Sequence, residues 1–494
     1  MTTAHEAVHA LWTALNLPSA SLSMLTLSPS TAANNAIQSS FKLGSVAQTA
    51  IGLAGLSAAH LHFLRSGVQQ NVRVDVRHAL LEFHSEAFYT LNHQPPKEVW
   101  DNVAGLYKTK DNSYVRIHTN FPHHRAGILS LLGLPDESDV SRADVQAALL
   151  TQDSISFETM AAAAGMCATA LRSYSTWSTH PHAKDLEGVS PVQIVKTGDA
   201  PKRPITQGSR PLEGVRVLDL SRVLAGPICG RTLAVHGADV LLVTSPHLPA
   251  LPALDVDTSR GKRTTQLDLT HSADRIKLHN LASDADVFLQ AYRPGGLEEK
   301  GLGLSDLTRL RPGIVCANLT AWGWEGPWKD RRGFDSLVQT ATGFNTSEAE
   351  AFARFSGVTT DAQQPKPLPI QALDHAAGYL LAFGINTALS RTITEGGSYE
   401  VRVSLAAVGQ WIRSMGQLPP FEAFGPDSRA LPDMVIPVDE EIRRLSTTWR
   451  TIDGMEMTAL RHAAVLERTP VKEGEDSIAP VRLDVNDAVW LPRL

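Results

Sequence analysis

The sequence predicts an α/β fold: a doubly wound, mostly parallel sheet with a smaller α+β domain, in a duplicated, partly degenerate arrangement. Three observations lead there. Between residues 215 and 318, short apolar strand-like runs alternate with helix-like segments, the pattern of a parallel sheet with helices on both faces. Residues 106–118 (LYKTKDNSYVRIH) read instead as a hairpin, two β-rich runs around Asp111-Asn112-Ser113. Finally, residues 56–80 and 382–407 look alike. Each has a helix-like run ending in Arg65 or Arg391, a turn, and a V-R-V strand beginning at Val72 or Val401, 329 residues apart. That spacing is far too long for a solenoid, whose periods run about 20–50 residues. Two diverged copies of one domain type would explain it, as would chance likeness of two amphipathic units.

The elements follow in order. Residues 1–100 carry helical periodicity. After the hairpin, residues 123–178 turn helical again, with Pro135 and Asp136 opening a new segment. Residues 179–212 are rich in proline and poor in periodicity, and read as a linker. Strands are then expected at 215–220, 239–243, 263–269, 286–290 and 313–318, with helices at 227–235, 272–283 and 304–310. A last clear helix spans Ala376–Arg391. Ligands of such sheets bind beyond the carboxyl ends of the strands, which singles out loops 221–227, 244–262, 290–300 and 321–335.

At 494 residues the chain predicts two or three domains. A net charge of −6 and the lack of a basic tract argue against a nucleic-acid partner. The three cysteines (Cys167, Cys229, Cys316) are too dispersed for a disulfide framework or a C-x-x-C metal site, which fits a reducing compartment. The start, MTTAHEAVHALW, makes a poor secretory signal, and the longest near-apolar stretch, around 161–171, is about half a membrane span. Residues 492–494 do not match the simplest peroxisomal address. The expectation is a cytoplasmic protein that binds no membrane.

Ser221–Pro227 places a Gly-Pro pair at a strand–helix turn, where backbone amides can approach a ligand; most such turns are only turns. Without G-x-G-x-x-G, a dinucleotide site fails its first test. Arg260, Lys262 and Arg263 flank a glycine, and Arg293 and Lys300 lie on a neighbouring strand-end loop. These cations read either as a solvated face or as a clamp for a phosphorylated ligand. Asp374 opens the last helix, where it reads as an N-cap or as an ionised carboxylate nucleophile. The histidines show no metal-ligand spacing, and no G-x-S-x-G occurs.

Together these pieces resemble the class III CoA-transferase family, which includes formyl-CoA transferase, carnitine CoA-transferase and alpha-methylacyl-CoA racemase. The likeness rests on PLEGVRVLDLSRVLAGPICGRTLAVHGADVLLV (211–243), RGKRTTQLDL (260–269), ADVFLQAYRPGGLEEKGLG (285–303), LTAWGWEGPWKDRRGFDSLVQTATG (319–343) and the helix from Asp374. TKDNSYVRI resembles a hairpin found later in the same family. The resemblance implies the CoA-transferase family III fold and an Asp374 carboxylate that attacks an acyl-CoA thioester. A mixed anhydride and an aspartyl-CoA thioester would follow, with no metal and no permanently bound cofactor. It implies CoA contacts at Leu224, Ala225, Leu267, Asp268, Ala291, Tyr292, Arg293, Lys300 and Arg332, Gly333, Phe334, Asp335. Phe334 stands where the racemases carry the His of G-H-D, and Leu224 where formyl-CoA transferases carry Gln. Thr244-Ser245 replaces an acidic-basic pair, and no glycine-rich loop offers to cover the aspartate.

Three readings follow: a CoA-transferase acting on an acyl-CoA and a small carboxylic acid, an acyl-CoA racemase or isomerase using Asp374 and Asp335, and a non-catalytic CoA-binding protein. The expected division is 1–178 as a degenerate copy supplying helices and the small domain, and 179–212 as linker. Residues 213–410 would form a Rossmann-like CoA-binding domain, and 411–494 a C-terminal return segment. The first copy shows no acid near Ala47 and Gln48, where Asp374 would align, so at most one complete site per chain is expected. No second hairpin of the 106–118 type is evident after Val401, so residues 1–200 are expected to lend their small domain to the second copy. The result would be an interlocked pseudo-dimer within one chain, or a homodimer; the alternative is two independent domains.

Overall fold

The computed structural model describes residues 2–28, 36–97, 100–137, 139–357 and 364–493. In chain order, β1 (Leu25–Ser28) precedes a long helix, Leu43–Ser66, and β2 (Val72–Asp75). Next come β3 (Tyr89–Leu91), the hairpin β4 (Gly105–Lys108) and β5 (Tyr114–Ile117), and β6 (Ala168–Ala170). β7 (Gln193–Gly198), β8 (Arg216–Leu220), β9 (Asp239–Thr244), β10 (Arg263–Gln266), β11 (Val287–Gln290) and β12 (Val315–Thr320) follow. A second long helix, Ala372–Thr394, leads to β13 (Ser398–Ser404), and the chain closes with β14 (Ser446–Arg450), β15 (Glu456–Leu460) and β16 (Ala464–Leu466).

The large sheet has the order β10-β9-β8-β11-β12-β13-β7. Strands β8 to β13 pair in parallel; β7 closes one edge antiparallel to β13. β8 is buried along its whole length, as an apolar run between two helical layers must be. The strand order reverses between β8 and β11, so the loops after them diverge and leave a crevice at the carboxyl edge. β7 corrects one expectation. Residues 179–212 are no bare linker: they hold the helix Pro181–Asp185 and a strand of the main sheet. Proline density hid both. Arg65 anchors the rest, donating to the carbonyls of Thr206 (2.9 Å), Pro211 (2.6 Å) and Glu213 (2.7 Å).

The two similar stretches adopt one conformation in one register. Leu43 and Ala372 open the two long helices, and Asp75 and Ser404 cap the helices after β2 and β13. Gly55 faces Val72 as Gly384 faces Val401: a Cβ on either would lie 3.1 or 2.4 Å from the valine Cγ1. Only glycine lets helix and strand approach so closely. The helices also meet each other. Asn386 Nδ2 donates to Ser57 Oγ at 3.2 Å, across residues 329 apart, so equivalent positions touch as they do on a two-fold axis. In this register Ser45, rather than Ala47 or Gln48, stands opposite Asp374.

The C-terminal segment returns to the strands of the first residues. β14 and β15 form a hairpin around Asp453-Gly454, which pairs with β3. An Asp-Gly between two β-rich runs was its signal. β16 pairs with β2, so strands from both ends of the chain share two sheets. The sheet β4-β5-β6 and its helices keep a core of their own, around Tyr107, Val115, Ile117 and Phe157. Among the described residues, no helix is long and apolar enough to cross a membrane. Residues 205–494 made alone would leave β16 without its partner β2, strip β3 from β15 and bare the apolar face of Ala372–Thr394. This fragment is expected to aggregate or stay partly unfolded, and co-expression with residues 1–200 to rescue it. Size-exclusion chromatography and circular dichroism read the difference.

Candidate active site

A cavity of about 350 Å³ opens at the switch point between β8 and β11. The loop after β8 supplies Arg222–Gly226, the loop after β11 Ala291–Arg293, and the segment before helix Asp335–Ala341 supplies Arg332–Phe334. Asp374 enters from the first turn of Ala372–Thr394, and Phe121, His123 and His124 arrive from the small domain. Close packing sets this arrangement. A Cβ at Gly226 would lie 2.4 Å from the Ser221 Cβ, and one at Gly333 2.4 Å from the Ala321 Cβ. Val223 holds φ +74, a region costly to β-branched residues, at the lip of the cavity. At Gly378 a Cβ would lie 2.6 Å from the Ala225 carbonyl oxygen and 2.8 Å from Ile228 Cγ2. Gly378→Ala should therefore push Asp374 away from the 224–226 turn. A loss of about 1–3 kcal/mol in chemical denaturation is expected, with reduced turnover.

The acids at the helix start divide their roles. Asp335 is buried, and its Oδ2 accepts the amides of Leu373 (2.8 Å) and Asp374 (3.0 Å), while Gln339 Nε2 donates to Oδ1. Asp335 thus caps Ala372–Thr394. Asp374 is not the N-cap: the helix starts two residues before it, and its carboxyl has no hydrogen-bond partner among the described residues. Burial raises Asp335 to about 6, held down by the amides of Asp374 and Leu373 and by Gln339. Burial, with the charges of Asp335 and Glu86, pushes Asp374 well above the usual carboxylate range. This environment runs against an ionised Asp374 and favours its protonated form, while Asp335 keeps the donors. Behind them His375 Nε2 lies 3.0 Å from Glu86 Oε2, and His84 Nδ1 3.2 Å from Glu86 Oε1. Despite its own burial, Glu86 is held far below its ordinary value by His375 and His84.

Leu224, Ala225, Ala291, Tyr292, Arg293, Arg332, Gly333, Phe334 and Asp374 all line the one cavity, with Asp335 buried behind. The cation cluster at 260–263 does not. Arg260 pairs with Asp257 (2.7 Å), Arg263 with Asp239 (2.9 Å), and Lys262, wholly buried, with Asp219 (2.9 Å). A phosphate clamp at these three is corrected: inside a protein a carboxylate neutralises a cation better than a distant ligand can. Leu267 is core. Asp268 accepts from Thr270 Oγ1 (2.7 Å) and Thr270 N (2.9 Å), which keep it well below its ordinary value. Lys300 is exposed, outside the cavity lining, and its carbonyl accepts from His279 at 3.2 Å.

Phe121, His123 and His124 were missed. They follow the hairpin by a few residues, and no local pattern says that this turn reaches a sheet formed much later in the chain. Arg332 Nη1 donates to His124 Nε2 at 2.7 Å, and Phe334 stacks on His118 with ring centres 3.7 Å apart. Burial pushes His118 and His124 each down to about 3, so both rings are neutral at pH 7. Among the described residues Arg222 has no carboxylate partner; its guanidinium lies over Phe121, 5.1 Å from the ring centre.

Residues 212–420 match the family model described as CoA-transferase family III. An acetyl-coenzyme A transferase of Hypoxylon pulicicidum is 30% identical over 335 residues, which are 64% of this chain and 55% of that protein. A probable fatty acyl-CoA transferase of Mycobacterium tuberculosis is 34% identical over 221 residues, 42% of this chain and 54% of that one. The chain thus spans about half the length of these relatives. A crystal structure of a hypothetical protein from Mycobacterium tuberculosis shares 33% identity over 42% of this chain and 58% of that one, with a TM-score of 0.36.

Proposed function

We propose that the protein moves CoA from an acyl-CoA thioester to a carboxylic acid, with Asp374 as nucleophile; residues 212–420 match the model of CoA-transferase family III. One observation carries the reading. Among the described residues lining the cavity, Asp374 is the only acid, and its carboxyl is tied to nothing. Once ionised, it attacks without first breaking a hydrogen bond. The Asp374 carboxylate adds to the thioester carbonyl, and the CoA thiolate leaves, giving a mixed anhydride. The thiolate then attacks the Asp374 acyl carbon and expels the donor acid as its carboxylate. The aspartyl-CoA thioester accepts the incoming carboxylate by the reverse pair of steps, which returns Asp374 free. Leu224, Ala225 and Ala291–Arg293 would hold CoA along the strand ends. We read the two equivalent helix–strand–helix units as diverged copies, of which only the second keeps its acid.

Intact-mass measurement after incubation with an acyl-CoA tests this. A CoA-sized adduct lost in Asp374→Asn supports transfer; no adduct with any donor overturns it. The split between Asp374, pushed toward its protonated form, and a hydrogen-bonded Asp335 also suits proton transfer. Deuterium uptake alpha to the thioester without an adduct would favour that second reading.

A further inference from the structure

A second cavity, of about 340 Å³, lies at the amino edge of the large sheet. Val215, Asp286 and Gly313, which precede β8, β11 and β12, line it. The length of a strand, roughly 16 Å, therefore separates it from the catalytic cavity. Ligands of such sheets bind at the other edge, so the topology by itself calls for no charge here. Five cations nevertheless line the cavity, Arg65, Lys202, Arg203, Arg311 and Arg493, against one acid, Asp286. Asp286 pairs with Arg203 (2.8 Å), Arg493 (3.0 Å) and Arg311 (3.4 Å), and Arg493 reaches Asp284 as well (3.0 Å). Two carboxylates thus serve five cations. Arg65 donates only to the carbonyls of Thr206, Pro211 and Glu213 and to the Thr206 hydroxyl. Lys202 Nζ and Arg311 Nη1 have no partner among the described residues. The larger cavity beyond Gly214 and Arg493 is nearly balanced, with five cations facing four acids.

The Pro-rich segment 201–206 walls this cavity and is held in place. Arg203 N donates to the Thr392 carbonyl at 2.8 Å, and Gly397 N to the Ala200 carbonyl at 2.9 Å. Pro201 and Pro204 fix their own φ, which leaves the wall little freedom to lose when a ligand binds. Leu61 of one long helix and Leu389 and Ile393 of the other add an apolar face. We propose that this cavity binds an organic polyphosphate of the nucleoside diphosphate kind. Three cations stay without a carboxylate, and such a ligand brings about three negative charges. The phosphates lie against Lys202 and Arg311, whose free donors suit phosphate oxygens, and the nucleoside lies on the apolar face. The ligand then bridges the two long helices and the 201–206 segment, far from the nucleophile. CoA carries the same diphosphate on adenosine, so a free nucleotide and CoA share this chemistry.

Isothermal titration of the intact chain with ADP makes the test. ADP should bind, and Lys202→Ala and Arg311→Gln should each weaken it roughly ten- to a hundred-fold. Lys202→Ala breaks no contact, so its thermal unfolding without ligand should match that of the wild type. Inorganic diphosphate should compete with ADP for the same site. Free CoA that displaces ADP, with both weakened by Lys202→Ala, would make CoA the occupant. ADP that stays bound beside CoA would make the occupant a free nucleotide. Either result supports the site. Failure of both ADP and diphosphate to bind the wild type overturns the inference, as does an unchanged ADP affinity in Lys202→Ala and Arg311→Gln. Loss of ADP binding in Arg293→Gln alone also overturns it, because the nucleotide would then sit in the catalytic cavity.

Discussion

Asp374→Asn is expected to lower CoA transfer by roughly 10⁴–10⁶-fold, the scale seen when a covalent nucleophile is removed. The amide keeps the shape but cannot form the anhydride. Folding should change by less than about 2 kcal/mol, because no hydrogen bond to the Asp374 side chain is lost. The direction of the pH dependence follows from its environment. Asp374 binds its proton more tightly in the folded chain than in the unfolded one. Its contribution to stability is therefore whole below the unfolded value, about 4, and is lost as pH rises through the folded value. Asp374→Asn lacks that loss and should gain on the wild type over the same window, read by thermal unfolding between pH 4 and 8. Turnover of the wild type should rise with pH as Asp374 ionises. Transfer retained in the Asn variant would remove Asp374 from the chemistry.

Lys262→Met should unfold the chain more easily by about 3–5 kcal/mol, although Lys262 touches no ligand. Lys262 Nζ and the Asp219 carboxylate pair at 2.9 Å with no exposure on either side chain. Gly230 makes room for them: a Cβ there would lie 2.2 Å from Asp219 Oδ2 and 2.8 Å from Lys262 Nζ. Asp219 also accepts from Ser221 N at 3.0 Å and so fixes the loop that lines the cavity. Losing the lysine leaves a charge buried and uncompensated. The double variant Asp219→Leu with Lys262→Met should recover most of the stability, since a buried pair can be exchanged for apolar groups at little cost. Urea denaturation of the two variants checks both statements. A single variant as stable as the wild type would mean that the pair is worth nothing.

What was legible in the sequence was local or periodic. β8, β9, β11 and β12 are apolar runs buried on both faces, and helices Ser272–Ser283 and Leu304–Leu310 lie where their periodicity put them. β10 is shorter than its run suggested, ending at Gln266, because Leu267 turns into the opposite core and Asp268 into a capping turn. The register relating the two similar stretches was legible too, since Val72 and Val401 each lie in the strand that follows a long helix. The loops that share a cavity with Asp374 were singled out by ordered motifs.

Tertiary structure decided what depends on distant partners. Arg260, Lys262 and Arg263 look alike in sequence to any phosphate-binding run; only the positions of Asp257, Asp219 and Asp239 turn them inward. Burial, with the charges of Asp335 and Glu86, pushes Asp374 toward its protonated form, and the helix cap passed to a residue 39 positions away. His123 and His124 reach the cavity because the small domain folds over a sheet built much later in the chain. A sequence states which side chains are available and how each segment is patterned. Burial and pairing set their charge and their aim, and those exist only once remote segments have met.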